Sequence, residues 1–255
     1  MTDNDYRHFV CIVAGENPDE LMKEYSKKRE IEPKIIYRFS DISKIKNAYI
    51  NEYEKELKTA IENKSEYVDV LKDIIADLKE MTDEEYYEEL LISHPDYYPN
   101  KENGDIMVNK NIDGKFSHYN IGKAFSIPFI TNDKKETFQS IKKDIKWDAI
   151  HLSNSYAYER VWEMVMEGDK PNDDHELTLY TNMMDKVEYF KKFETKENYV
   201  ISNTAFWGYA FLSDKTGWIE ISDNDDQFEW MRNFYDVFID KLSDDTLLTI
   251  YECVK

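Results

Sequence analysis

The chain carries an apolar, strand-like run near each end, "HFVCIVA" over 8–14 and "TLLTIYECV" over 246–254. Both are too short for a buried helix and are rich in β-branched and aromatic residues, so they read as largely buried strands. Strands near a chain end are held by pairing, and the two are expected side by side in one sheet. Several amphipathic helical patterns lie between them. The predicted class is therefore α+β: a mixed or antiparallel sheet with the N- and C-terminal strands in the core, packed against several helices. No Gly/Pro/Ser-rich linker and no internal repeat divides the sequence. Residues 1–255 are thus expected to form a single interleaved α+β domain, with the weakest seam at 94–104.

After the first strand, "GENPDELMKEY" reads as a helix start, with Asn17 as cap, Pro18 at the first helical position and Glu20 two residues on. Strand, glycine and helix have the outline of a phosphate loop. One glycine is not a cradle, however, and Asp19 and Glu20 stand where an anion would bind. "KIIYRF" (34–39) reads as a strand. The next segment reads as a long helix with Ile42, Ile45, Tyr49, Tyr53, Leu57 and Ile61 inward. Ser65 is expected to cap a further helix that turns Val68, Leu71, Ile75 and Leu78 inward, and Thr82 with Glu85 forms a capping box for another. Two prolines in "HPDYYPN" end the helical block. Asp113-Gly114, between strand-like arms over 105–122, reads as a tight hairpin. Helices are expected at 133–145, 153–167, 174–193 and 225–242, with a hairpin at 203–222.

The charge is strongly one-sided. The formal net charge is -20. Residues 66–91 hold ten acids against two lysines, and residues 219–245 hold nine acids against Arg232 and Lys241, so these stretches carry -8 and -7. Such a potential repels nucleic acid and anionic lipid. The best basic clusters, "KKRE" (27–30) and "NDKKETFQSIKKD" (132–144), are short and mixed with acids, so no direct nucleic-acid binding is expected. No apolar run approaches a bilayer's thickness, and the first residues lack the character of a signal peptide. Cys11 and Cys253 form no CxxC pair and read as small buried hydrophobes. These features together fit a cytoplasmic protein with no membrane association.

On a helix starting at Ser65, Glu66, Asp69, Asp73, Asp77 and Glu80 follow one another at steps of three and four and make a ridge opposite the apolar stripe. Paired tyrosines sit beside acids, and adjacent helix positions cannot both face the core. Tyr86 and Tyr87 therefore join the ridge as candidate partner-binding residues, because tyrosine is favoured at interfaces. The first expectation is a soluble acidic protein acting through protein–protein interaction, presenting these carboxylates to a basic protein partner.

The alternative is a metal-dependent hydrolase. Asp223, Asp225 and Glu229 are its candidate ligands, magnesium or calcium the cation, and His151 or His175 the histidine. The match to a calcium loop is poor, since the central glycine is missing and the closing glutamate comes too early. An acid at a helix start also has the simpler task of capping. Ser117 and His118 are adjacent, which on a strand would aim them at opposite faces. No catalytic motif or cofactor signature is present, and no catalytic residue is assigned. A structural subunit, with a large apolar patch or symmetric face, is the third reading.

Overall fold

The computed structural model describes residues 8–122, 126–152, 155–222 and 224–255. In chain order the elements are β1 (His8–Ala14), α1 (Pro18–Glu24), β2 (Glu30–Tyr37), α2 (Ile42–Glu62), α3 (Val68–Glu80), α4 (Asp83–Ser93) and β3 (Tyr97–Pro99). Next come β4 (Ile106–Lys110), β5 (His118–Ile121), β6 (Phe129–Ile130), β7 (Glu136–Thr137), β8 (Gln139–Ile141), α5 (Trp147–Leu152) and α6 (Ser155–Trp162). The last are α7 (Asp174–Met183), α8 (Val187–Lys191), α9 (Lys196–Thr204), β9 (Ala210–Ser213), β10 (Gly217–Glu220), α10 (Gln227–Phe234) and β11 (Leu247–Val254). The chain divides into two compact units, one made of Met1–Lys27 with Asp113–Lys255 and the other of Lys28–Ile112. The 94–104 segment lies inside the second unit.

The first unit is built on the two terminal runs. β1 and β11 pair antiparallel along their whole length, from His8 opposite Val254 to Ala14 opposite Leu248. The sheet order is β10-β9-β1-β11-β5, with β8 also on β11. β1 and β9 run parallel, which makes the sheet mixed. Alternation sends Phe9, Cys11 and Val13 to one face, where Met22, Phe116, Leu212 and Tyr251 join them. Ile12 and Ala14 go to the other, with Phe206, Phe211, Phe234, Leu248 and Ile250. Each large apolar side chain buried there contributes roughly 1.5–3 kcal/mol, which explains why the end strands sit at the sheet's centre. A separate helical cluster gathers Val161, Trp162, Met164, Phe190, Phe193 and Tyr199.

Three expectations for this unit fail for identifiable reasons. Asp113-Gly114 is not a hairpin, because β4 pairs with β2 and β3 whereas β5 pairs with β11. The glycine serves close approach instead, since a Cβ there would lie 2.5 Å from the backbone nitrogen of Lys27. Residues 133–145 form no α-helix. Thr131 Oγ1 accepts from the Lys135 amide, and Lys134 takes a φ of 64°, so a turn joins β6 to β7 before β8 runs onto β11. Helix 174–193 breaks at Met184–Lys186 and resumes as α8, and a separate helix, α9, then starts where Thr195 Oγ1 accepts from the Asn198 amide. That cap was legible in "TKEN". It also means that the strand of the 203–222 hairpin begins only at Ala210. At Asn17 the cap position is occupied without a side-chain cap bond.

The second unit sets the antiparallel sheet β2-β4-β3 with α2, α3 and α4. Its core is Ile42, Tyr86, Leu90 and Ile106, supported by Ile45, Leu78 and Tyr97. The capping box at Thr82 and Glu85 is present in both directions. Lys46 pairs with Asp83 at 2.6 Å and donates to the Met81 carbonyl at 2.8 Å, fixing the α3–α4 turn to α2. The stripe of α2 runs obliquely: Ile42 and Ile50 are buried, while Ile61 is 53% exposed.

Candidate functional site

The carboxylate run lies on the second unit, but its helix starts later than the sequence suggests. α3 begins at Val68, and Ser65 Oγ accepts only from the Tyr67 amide in the preceding turn. Glu66 therefore stands before the helix and not on it. At 3.6 residues per turn, Asp69, Asp73, Asp77 and Glu80 fall within an arc of roughly 80°, opposite the buried Ile75 and half-buried Leu71 and Leu78. Glu66 and these four are all exposed. Asp69 pairs with Lys72 at 2.8 Å, which holds its carboxyl below the usual range. Asp73, Asp77 and Glu80 have no ion pair among the described residues. On the opposite flank Lys79 reaches across to Glu54 at 2.8 Å.

Next to the acids, on the flank away from Lys72 and Lys79, lie Tyr67 and Val70, each 53% exposed. They share a shallow concavity with Thr59, Ala60, Ser65 and Leu71 between the end of α2 and the start of α3, and Lys55, Glu56 and Asn63 also line it. Sequence reading overlooked this apolar margin, although Tyr67 and Val70 are three apart and off the core stripe.

The tyrosines expected to join the ridge turn the other way. Tyr86 is 5% exposed within the core, and burial pushes its phenol up to about 12. Tyr87 is half-buried, donates its hydroxyl to the Gly104 carbonyl at 2.9 Å and sets its ring edge-on to Phe39. The core demand of a short helix with Leu90 on the same stripe wins over any outward role. Of the second tyrosine pair, in "HPDYYPN", Tyr98 is exposed and Tyr97 half-buried.

The acids before α10 are engaged with backbone. Asp226 Oδ1 caps the helix by accepting from the Phe228 and Glu229 amides, and Asp225 accepts from the Ser222 amide at 2.7 Å. The bond from the Ser222 amide, followed by the Ser222 side chain, lowers the pKa of Asp225. Asp223 lies outside the described residues, as does the side chain of His151. His175 is exposed in the first turn of α7. Among the described residues no group of three or more histidine, cysteine, aspartate or glutamate side chains could hold a metal ion.

Ser117 and His118 do meet, with Oγ and Nδ1 3.2 Å apart, because Ser117 precedes the strand and escapes its alternation. The same Oγ donates to the Val254 carbonyl at 3.1 Å, and His118 is exposed. Cys11 and Cys253 are fully buried free thiols, and burial pushes both pKa values up, which removes nucleophilic character.

Comparison of the chain with protein-family models, curated proteins and solved structures finds no match. Among the described residues no helix is long and apolar enough to cross a membrane. Sequence gave no hint of a cavity of about 470 Å³ in the first unit, set against the sheet face that carries Ile12 and Ile250.

Proposed function

We propose that the protein acts through protein–protein interaction, with α3 offering its carboxylates and the adjoining apolar margin to a basic, amphipathic partner segment. The observation that carries this reading is that exposed Asp69 and Asp73 stand within one helical turn of exposed Val70, with exposed Tyr67 at the helix N-cap. Carboxylates alone keep a helix wet. Carboxylates beside uncovered apolar side chains match a partner that has both charge and apolar area to bury. Glu66, Asp77 and Glu80 extend the negative margin, whereas Tyr86 and Tyr87 are spoken for by the core.

The test is a fluorescence-anisotropy titration with a labelled Leu/Lys amphipathic helical peptide. Binding should weaken at least tenfold in the variant Asp69→Asn, Asp73→Asn, Asp77→Asn and again in Val70→Ser, and duplex DNA should not bind. Equal affinity in wild type and the neutralised variant discards the surface. The hydrolase reading has no comparable support, because Asp225 and Asp226 already serve backbone amides.

A further inference from the structure

The cavity in the first unit differs in kind from the surface just described, and every described residue lining it belongs to Met1–Lys27 or Asp113–Lys255. Its volume of about 470 Å³ lies within the range typical of sites for small molecules, roughly 300–1,000 Å³. Ile12 and Ile250 supply the sheet side, Ile150 comes from α5, and Phe206 and Trp207 come from the loop between α9 and β9. Phe206 is held in place by Phe129 and Trp147, with centroids at 5.5 and 5.4 Å. That wall is therefore backed by packed aromatic rings.

Three polar groups on the lining are unspent. The Tyr158 hydroxyl, the Asn203 amide oxygen and the Trp207 indole N–H have no hydrogen-bond partner among the described residues, although the Asn203 amide nitrogen donates to the Tyr199 carbonyl at 2.7 Å. Partly buried polar groups of this kind normally find partners. Together they offer a donor, an acceptor and a hydroxyl able to be either. The described lining contains no Asp, Glu, Lys or Arg, and its one histidine, His8, is exposed; burying an ion without a countercharge is costly. We infer that this cavity is a binding site for a small, uncharged, mainly apolar molecule with an aromatic body and a polar edge carrying both a hydrogen-bond donor and an acceptor.

The probe is N-phenyl-1-naphthylamine, a neutral aromatic amine that fluoresces in apolar surroundings, titrated into the full chain. Saturable one-to-one enhancement is expected, at least tenfold weaker in Ala205→Phe, which fills the cavity from its lining. In parallel, the indole N–H signal that disappears in Trp207→Phe identifies Trp207 among the five tryptophans, and that signal should move on adding the dye. The spectrum decides the matter if Ala205→Phe does not fold. Non-saturating enhancement, unchanged affinity in folded Ala205→Phe, or a Trp207 signal that stays in place overturns the site. Loss of dye binding in Val70→Ser with an unmoved Trp207 signal assigns the dye to the α3 margin and likewise overturns it.

Discussion

The hydroxyl of Tyr251, on the last strand, donates to Asp19 Oδ1 in the first helix at 2.6 Å. The ring is 1% exposed, and burial, followed by the Asp19 carboxylate, pushes the phenol well above its ordinary range. The bond fastens α1 to the sheet. Tyr251→Phe should lower stability by about 1–2 kcal/mol, at the modest end for a bond to a charged group because exposed Asp19 regains water. The urea midpoint measures this. An unchanged midpoint means that the bond contributes nothing.

Gly114→Ala should destabilise the protein by about 1–3 kcal/mol, the usual range for forced overpacking. The added methyl would meet the Lys27 backbone, and backbone cannot swing aside as a side chain can. Thermal unfolding of this variant beside Gly168→Ala is a useful contrast. The Gly168 site has open space but a φ of 81°, so its cost is backbone strain alone.

Glu176 accepts from Arg160 at 3.1 Å and from the Asn172 amide at 2.9 Å, and these bonds hold its pKa at about 2. A folded value below the unfolded one means that the contribution is complete above the unfolded pKa and fades as protons bind the native state. Stability should therefore fall as pH drops from about 4.5 toward 2. Glu176→Gln should flatten the part of that slope due to this residue in chemical-denaturation series. An identical pH profile in the variant refutes the assignment.

Neutralising Asp73 and Asp77 together should raise stability by roughly 0.5–1.5 kcal/mol, because it relieves three like-charge contacts on the helix, Asp69–Asp73, Asp73–Asp77 and Asp77–Glu80. The gain should shrink in high salt as screening shortens the interaction. A loss of stability at low salt would show that these carboxylates have a structural task. Stability gained alongside peptide binding lost is the signature of a surface kept for a partner.

All five tryptophans lie between 147 and 230, in the first unit, whereas α2, α3 and α4 belong to the second. Tryptophan fluorescence thus reports one unit, and far-ultraviolet circular dichroism reports both. The reading of the chain as one cooperative domain requires the two signals to change together in urea. Separated midpoints would establish two domains.

What was legible in the sequence was whatever rested on an unbroken local pattern. The two end strands, the α3 stripe and the Thr82–Glu85 box belong to that class; helix α2 was legible too, but its expected stripe drifts, since Tyr49 and Ile61 are exposed and Ile50, outside that stripe, is buried. The pairing of the end strands could be inferred because buried strands need neighbours. The failures came where a local signal served a distant contact. Asp113-Gly114 carries hairpin chemistry, but Lys27 rather than a sister strand accounts for the glycine. "NDKKETFQSIKKD" has helical spacing, but β11 offers β8 a ladder that outweighs propensity. At the candidate surface, exposed acids were readable from periodicity. The inward turn of Tyr86 was not, because adjacent tyrosines look alike until Leu90 and Ile106 define a core. The cavity gathers residues from opposite ends of the chain, which no spacing rule can anticipate.

The chain leaves and re-enters the larger sheet unit at one spot. The Lys27 amide donates to the Phe116 carbonyl at 2.8 Å, and the Lys115 amide to the Tyr25 carbonyl at 2.7 Å. Inside the smaller unit the Asn111 amide likewise donates to the Arg29 carbonyl at 2.9 Å. Residues 28–112 are thus a cassette with adjoining ends, the geometry at which chain insertions are tolerated. Replacing that cassette by a short turn would take the acidic helix out of the chain while leaving in it every described residue that lines the cavity.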